Sequence, residues 1–216
     1  MLDATRHPAE VAPDLLGWTI ACRGTAAVLV EVEAYHQDEP AAHSFGGLPT
    51  PRTQDLFGPP GTIYVYFTYG MHWCANLVTG PEGSGEAVLL RGAVPVHGEQ
   101  LMRARRAAPR GVDPAKWRTK EIAGGPGRLT QALDIRAEDS GTPILRADVA
   151  TLADALSLSV DGPVLVRDAA AARSVGIELP VAGDALVIGP RIGITKAMEL
   201  AWRFGVRGSA GLSRGF

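Results

Sequence analysis

The chain has 216 residues, 46% of them hydrophobic and 20% charged, enough apolar surface for one domain with its own core and too much for a disordered segment. A formal net charge of −2 excludes a molecule that is basic as a whole, so a polyanion would have to be met by local patches. Cys22 and Cys74 lack the paired spacing of a zinc site, the amino terminus lacks the plan of a signal peptide, and no apolar run is long enough to span a membrane, so a reduced, cytoplasmic protein without metal or cofactor is expected.

In chain order, Ala9 to Leu16 reads as a short helix with Leu15 and Leu16 inward and Gly17 ending it. Trp18 to Ile20 and Ala26 to Tyr35 read as strands. In the second, Val28, Val30 and Val32 fall on one side, which packs, and Leu29, Glu31, Glu33 and Tyr35 fall on the other, which carries carboxylates at a sheet end. Gln37 to Pro60 is dense in Gly, Pro, Ser and Thr and predicts a long irregular excursion with one helical turn near Arg52 to Phe57; a loop of that length in a compact domain is functional or disordered. Its His43, Phe45 and Arg52 favour function.

Thr62 to Tyr69 is an aromatic, β-branched strand, followed after Gly70 by strands at Trp73 to Thr79 and Glu86 to Val94. Leu101 to Ala108 reads as a helix. A Gly-rich turn at Gly124, Gly125 and Gly127 precedes another, from Gly127 or Arg128 to Leu133; its spacing matches neither nucleotide-binding loop, which leaves a turn as the default. The last third predicts strands at Leu156 to Val160, Val164 to Asp168 and Ala185 to Ile188, and a final helix from Lys196 to Trp202 capped by Thr195. Strands and helices without regular alternation argue for an α+β domain on a curved, largely antiparallel or mixed sheet.

Basic residues gather in two stretches, Arg103, Arg105, Arg106, Arg110, Lys116, Arg118, Lys120 and Arg128, then Arg191, Lys196, Arg203, Arg207 and Arg214. If the fold brings them to one face, a polyanion docks there; otherwise they are solvated surface. The chemistry-bearing cluster is Glu33, Tyr35, His43, Tyr64, Tyr66, Tyr69, His72 and Asn76, which holds all four tyrosines of the chain. Rings, imidazoles and a carboxylate within so short a span suit a slot for a flat heterocycle, and alternation places Tyr64 and Tyr66 on the same face of their strand. Each has an ordinary reading by itself, as core aromatic, arginine partner or turn residue.

The motifs VEVEAY (Val30 to Tyr35), AAHS (Ala41 to Ser44), GGLPTPR (Gly46 to Arg52), YVYFTYGMHWCANL (Tyr64 to Leu77) and VLLRG (Val88 to Gly92) resemble the mammalian-type alkyladenine, or 3-methyladenine, DNA glycosylases. GPGRLTQALDI, PRIGITKA and FGVRGSAGLSR follow in the family's order, so the resemblance spans nearly the whole chain. It implies a monomeric, monofunctional enzyme acting on double-stranded DNA that contains damaged purines. By the same resemblance, Glu33 is the water-activating glutamate and Arg91 orders the water or a nearby phosphate and helps hold Glu33. Tyr35 and His43 are opposite walls of the base pocket, Tyr66 stacks on the extruded base, Asn76 disfavours guanine, and Tyr69 is the wedge that enters the minor groove. Ile192, Gly193 and Ile194 match a segment beside the catalytic region. Tyr64, Arg52 and Lys196 are further candidates for DNA contact or pocket support. Val32 stands where threonine is common, Thr53 where asparagine often follows TPR, and His72 where some relatives have tyrosine. Two other classes remain open on sequence: an inactive damage sensor or nucleic-acid binder with the same slot, and a formyltransferase-like accessory domain, which has no use for Glu33, Tyr66 and Asn76 together.

Overall fold

β-Branched residues alternating with small or acidic ones build the centre of the protein. In the computed structural model, which describes residues 3–68, 70–115, 117–145 and 148–216, the 11-residue strand β2 (Thr25–Tyr35) is the hub. It pairs along one edge with β5 (Ala87–His97); at its other edge β1 (Thr19–Cys22) and then β8 (Arg203–Val206) pair with successive parts of it. Beyond β5 come β4 (His72–Val78) and β3 (Ile63–Thr68); beyond β1 comes β6 (Val164–Val166), and β7 (Leu186–Gly189) pairs with β8. Every pairing between these eight strands is antiparallel, which settles the α+β sheet as antiparallel.

Six helices surround the sheet among the described residues: α1 (Pro8–Val11), α2 (Glu99–Ala107), α3 (Thr119–Ala123), α4 (Pro126–Leu133), α5 (Leu152–Leu158) and α6 (Ala169–Ser174). Helices α3 and α4 pack on β5, α4 also on β4, and α2 on α4, so that Met102, Ile122, Leu129 and Leu133 close over Leu77 and Leu90 in the main core. Helix α4 is tied down further by Thr130, whose hydroxyl donates to the Trp73 carbonyl at 2.8 Å. No helix among the described residues is long and apolar enough to cross a membrane.

Several sequence expectations change. Strand β2 is buried on both faces, with Glu31 and Glu33 fully enclosed, so its carboxylate side is interior and not a sheet end open to water. Leu156 to Val160 is not a strand: it overlaps α5, which Thr151 and Asp154 start with reciprocal side-chain to backbone bonds. Lys196 to Trp202 is not helical. Ala197 there has φ +48°, and Arg191 draws in the Ala197 carbonyl, which holds the segment as a loop against β2. Strand β8 follows directly, where the sequence reading placed none.

Candidate active site

Three adjacent strands bring the predicted cluster together. The β3–β4 register sets Tyr64 opposite Asn76 and Tyr66 opposite Cys74, and β4 places Asn76 beside Leu89 of β5. Tyr64 and Tyr66 share a face, as their spacing requires, with ring centroids 5.5 Å apart and nearly parallel planes. The loop after β2 brings His43 edge-on to Tyr66 at 4.3 Å, with its Nδ1 3.4 Å from the Tyr64 hydroxyl. These groups line a cavity of about 710 Å³, together with Tyr35, Arg91, Ile192, Gly193, Ile194 and Lys196. That volume lies within the roughly 300–1,000 Å³ usual for small-molecule sites.

Glu33 sits directly behind this wall, at 0% exposure. Its Oε1 accepts the Ile192 amide N–H at 2.7 Å; its Oε2 accepts the Tyr35 hydroxyl at 2.9 Å and an Arg91 Nη1–H at 3.4 Å. All three donors belong to residues that line the cavity, so the carboxylate meets the cavity through them. Burial raises Glu33 above the ordinary carboxylate range, and Arg91, the Ile192 amide and the Tyr35 hydroxyl act against that rise. Tyr35 is itself pushed well up by burial and by the neighbouring Glu33 charge, so its hydroxyl stays a donor. Burial also drives Tyr64 to about 12 and the Cys74 thiol to about 11, and raises Tyr66. The rings of the cavity wall are therefore neutral, with the Glu33 carboxylate behind them.

His43 is held below the usual imidazole value by its packed surroundings and then by the nearby Arg52 guanidinium, so it is neutral at pH 7. Arg52 donates to the Phe67 carbonyl at 2.9 Å and lies 6.0 Å from the Tyr66 ring, which makes it a brace between loop and strand. Asn76 spends an amide N–H on the Tyr64 carbonyl at 3.1 Å. Tyr69, the expected wedge, lies outside the described residues.

Sequence reasoning missed four contributors. The Gly-rich turn, read as a plain turn, is cavity wall from Gly124 to Arg128, and the Gly125 N–H donates to the Arg91 carbonyl at 2.8 Å. At Gly127 a Cβ would lie 2.7 Å from the His72 side chain, so only glycine lets the β3–β4 hairpin lean on this turn. Arg191, counted as a basic-patch residue, is fully buried, bonded through both terminal nitrogens to Glu39 and stacked over the Tyr35 ring at 4.6 Å. It clamps the His43 loop to the segment that supplies the Ile192 amide. Ser213 and Arg214 complete the wall from the far end of the chain. Glu39 followed by a distant Arg offers no local signal, but three glycines before a helix are one.

Among the described residues only part of the two basic stretches meets on one face. Arg103 donates to the Pro114 and Trp117 carbonyls, Arg105 to those of Arg23 and Ala132, and Arg106 is buried on Gln131. Arg191 and Arg203 are interior as well, while Lys116 and the side chain of Arg110 lie outside the described residues. Arg128, Lys196 and Arg214 are the exposed cations that line the cavity. Replacing any of these three by glutamine is expected to flatten the salt dependence of affinity for a polyanion by about one. Arg103→Gln should leave that slope unchanged and lower the melting temperature instead. Binding isotherms over a salt series, beside thermal melts, check both. Among the described residues no group of three or more His, Cys, Asp or Glu is placed to hold a metal ion.

An antiparallel α+β scaffold that holds one buried carboxylate behind a ring-lined cavity has the form of a hydrolase for a flat heterocyclic substrate. The methylpurine-DNA glycosylase family model matches residues 3–210. A protein of Rhodopseudomonas palustris named as a candidate 3-methyladenine DNA glycosylase is 44% identical over 207 residues, 96% of this chain and 84% of its own. Relatives with the same name in Bradyrhizobium diazoefficiens and Burkholderia cenocepacia are each 42% identical, covering 98% and 94% of this chain and 88% and 85% of theirs. The chain belongs to the methylpurine-DNA glycosylase family and is a DNA N-glycosylase.

Proposed function

We propose that the chain acts as a single-domain, monomeric, monofunctional glycosylase that takes an alkylated or deaminated purine swung out of duplex DNA and hydrolyses its N-glycosidic bond in base excision repair. The observation that carries this is the Glu33 carboxylate, whose hydrogen-bond donors among the described residues all line the aromatic cavity. A base in a duplex hides its anomeric carbon, so the nucleotide must turn out at a cost of a few kcal/mol. Stacking between Tyr66, His43 and Tyr35 returns about 1–3 kcal/mol, and Tyr69 fills the gap left in the helix. Lesions that pair poorly lower the cost, which makes extrusion a selection step.

Cleavage builds oxocarbenium character on the sugar. Glu33 stabilises that charge and takes a proton from water as the water oxygen bonds to C1′. The C1′–N bond breaks with its electron pair going to the purine; a cationic alkylated base leaves neutral, whereas a neutral one such as hypoxanthine takes up a proton at the released nitrogen, balanced by the one Glu33 received, and a C1′ hydroxyl, an abasic site and free base remain. A carboxylate has room for about four donors and Glu33 has three among the described residues, so Oε1 retains a lone pair for the water. The neutral Asn76 and His43 read the base edge.

Incubation with duplexes carrying one 3-methyladenine, 7-methylguanine, ethenoadenine or hypoxanthine, scored for free base and alkali-labile sites, tests the reading. Release without strand cleavage supports it; binding without release identifies a damage sensor instead. The pH profile of single-turnover release should show an acid limb above the ordinary glutamate value, because Glu33 must be unprotonated and burial raises it. A limb at or below that value removes Glu33 from the role of base.

A further inference from the structure

A second glutamate, Glu31, lies two residues before Glu33 on β2 and is equally buried. Its Oε1 accepts from Arg203 Nε at 2.7 Å, the Ser213 hydroxyl at 2.8 Å and Arg91 Nε at 3.1 Å, and its Oε2 accepts from the Ser213 amide at 2.6 Å. With four donors among the described residues, Glu31 uses about the whole acceptor capacity of a carboxylate. It ties together three stretches that are far apart in sequence. Arg203 bonds the carbonyls of Arg214 and Gly215 and stacks on Phe216 at 3.8 Å, so the 213–216 segment is stapled to the sheet beside the cavity. The approach is close enough that a Cβ on Gly92 would sit 2.6 Å from the Gly211 carbonyl oxygen. Arg91 is shared: its Nε faces Glu31, Nη2 the Ser213 hydroxyl at 3.3 Å, and Nη1 Glu33 by the longest of the three contacts.

We propose that Glu31 is a positioning residue for base release: it divides the Arg91 charge between two carboxylates and fixes Ser213 and Arg214 in the cavity wall, so that Glu33 is only partly neutralised and remains a proton acceptor. This rests on the reading of Glu33 as the base. If Arg91 faced Glu33 alone, full pairing would lower the proton affinity that a base needs. The other groups facing Glu33 are Tyr35 on β2, Arg203 opposite it on β8, Tyr66 and Cys74 on β3 and β4, and the Ile192 amide with Arg191 behind it. Tyr35, Tyr66 and Cys74 are neutral at pH 7, and Arg191 is spent on Glu39, so the charges that act on Glu33, beside its burial and the hydrogen bonds from the Ile192 amide and the Tyr35 hydroxyl, are those of Arg91 and Glu31, and Arg203 acts through Glu31. The negative field of Glu31 acts on Glu33 in the raising direction.

The test is a carboxyl-carbon NMR titration of Glu33 in the substrate-free protein, beside the acid limb of single-turnover release. Glu31→Gln should lower the Glu33 midpoint by about one pH unit, because Arg91 then serves one carboxylate. Arg203→Gln should raise it, because Glu31 then acts less compensated. An unchanged or raised midpoint in E31Q, or shifts of the same sign in both variants, overturns the proposal. Should E31Q not fold, R203Q decides alone, an upward shift supporting the proposal and any other result overturning it. The titration needs no catalysis, so a midpoint that moves while the acid limb stays sinks the assignment of Glu33 as base, and with it the part of Glu31 in the reaction, without touching the measured coupling.

Discussion

Glu33→Gln is expected to lower single-turnover base release by about 10²–10⁴-fold while leaving affinity for lesion-containing duplex within a few-fold. Glutamine keeps one oxygen for the Ile192 amide, and its NH2, in the place of the other carboxylate oxygen, can donate to the Tyr35 hydroxyl at the cost of the long Arg91 contact, so the pocket wall stays in place, but the side chain can neither take the proton of water nor offset positive charge on the sugar. The variant should fold at least as well as the parent. A carboxyl that burial raises binds protons more tightly folded than unfolded, so stability falls as pH rises from the unfolded value of about 4.3 through the raised folded value. Glutamine removes that loss, and a melt at pH 8 should show an equal or higher midpoint for E33Q. Undiminished release by E33Q would remove Glu33 from the chemistry. A lower midpoint with lost release would mean instead that the side chain supports the fold.

Arg191→Met is expected to cost about 3–5 kcal/mol of stability, the penalty for leaving the buried Glu39 carboxylate without its partner. For a chain of this size that is a fall of about 6–20 °C in melting temperature. Below the transition, release should drop about tenfold, because the side chain also backs the Tyr35 ring and sits next to the residue whose amide holds Glu33. Lysine is not expected to rescue it, since it offers neither the two-pronged contact to Glu39 nor the flat stack. The double variant R191M/E39Q, with no buried charge left alone, should recover much of the stability but little of the release. Melting curves of the three variants with single-turnover rates check this. Equal recovery of both would mean that Arg191 acts on the fold only.

The parts of the fold that could be read from sequence are those where one local pattern dominates. The valines and aromatics of β2 and β3 alternate strictly, and that alternation placed Tyr64 and Tyr66 on one face, as found. Where local and long-range forces conflict, the reading failed. SLSV in Ser157 to Val160 alternates like a strand, but the Thr151–Asp154 start signal upstream commits the segment to α5. Thr195 to Trp202 has a helix-like composition, yet the bonds of Arg191 and Ile192 to β2 and its loop override it. The short β8, with glycine inside, carries little strand signal of its own and is defined by its neighbours. At the site, the motif residues were legible because they cluster between Glu33 and Arg91. The link of Glu31 to Arg203 and Ser213 was not, because it spans more than 170 positions (203 minus 31 is 172) and a buried ion pair leaves no periodic trace.

Strand β2 carries Glu31, Glu33 and Tyr35 and has hydrogen-bonded neighbours along both edges. Amide exchange along it should therefore belong to the slowest class in the molecule, near the free energy of whole-chain unfolding. On the proposed reading the reacting carboxylate rides on the least deformable member of the scaffold, a fixed gauge against which a nucleotide is measured. Discrimination would then fall to how readily the nucleic acid distorts, a sound base pair being spared because it resists being bent to fit.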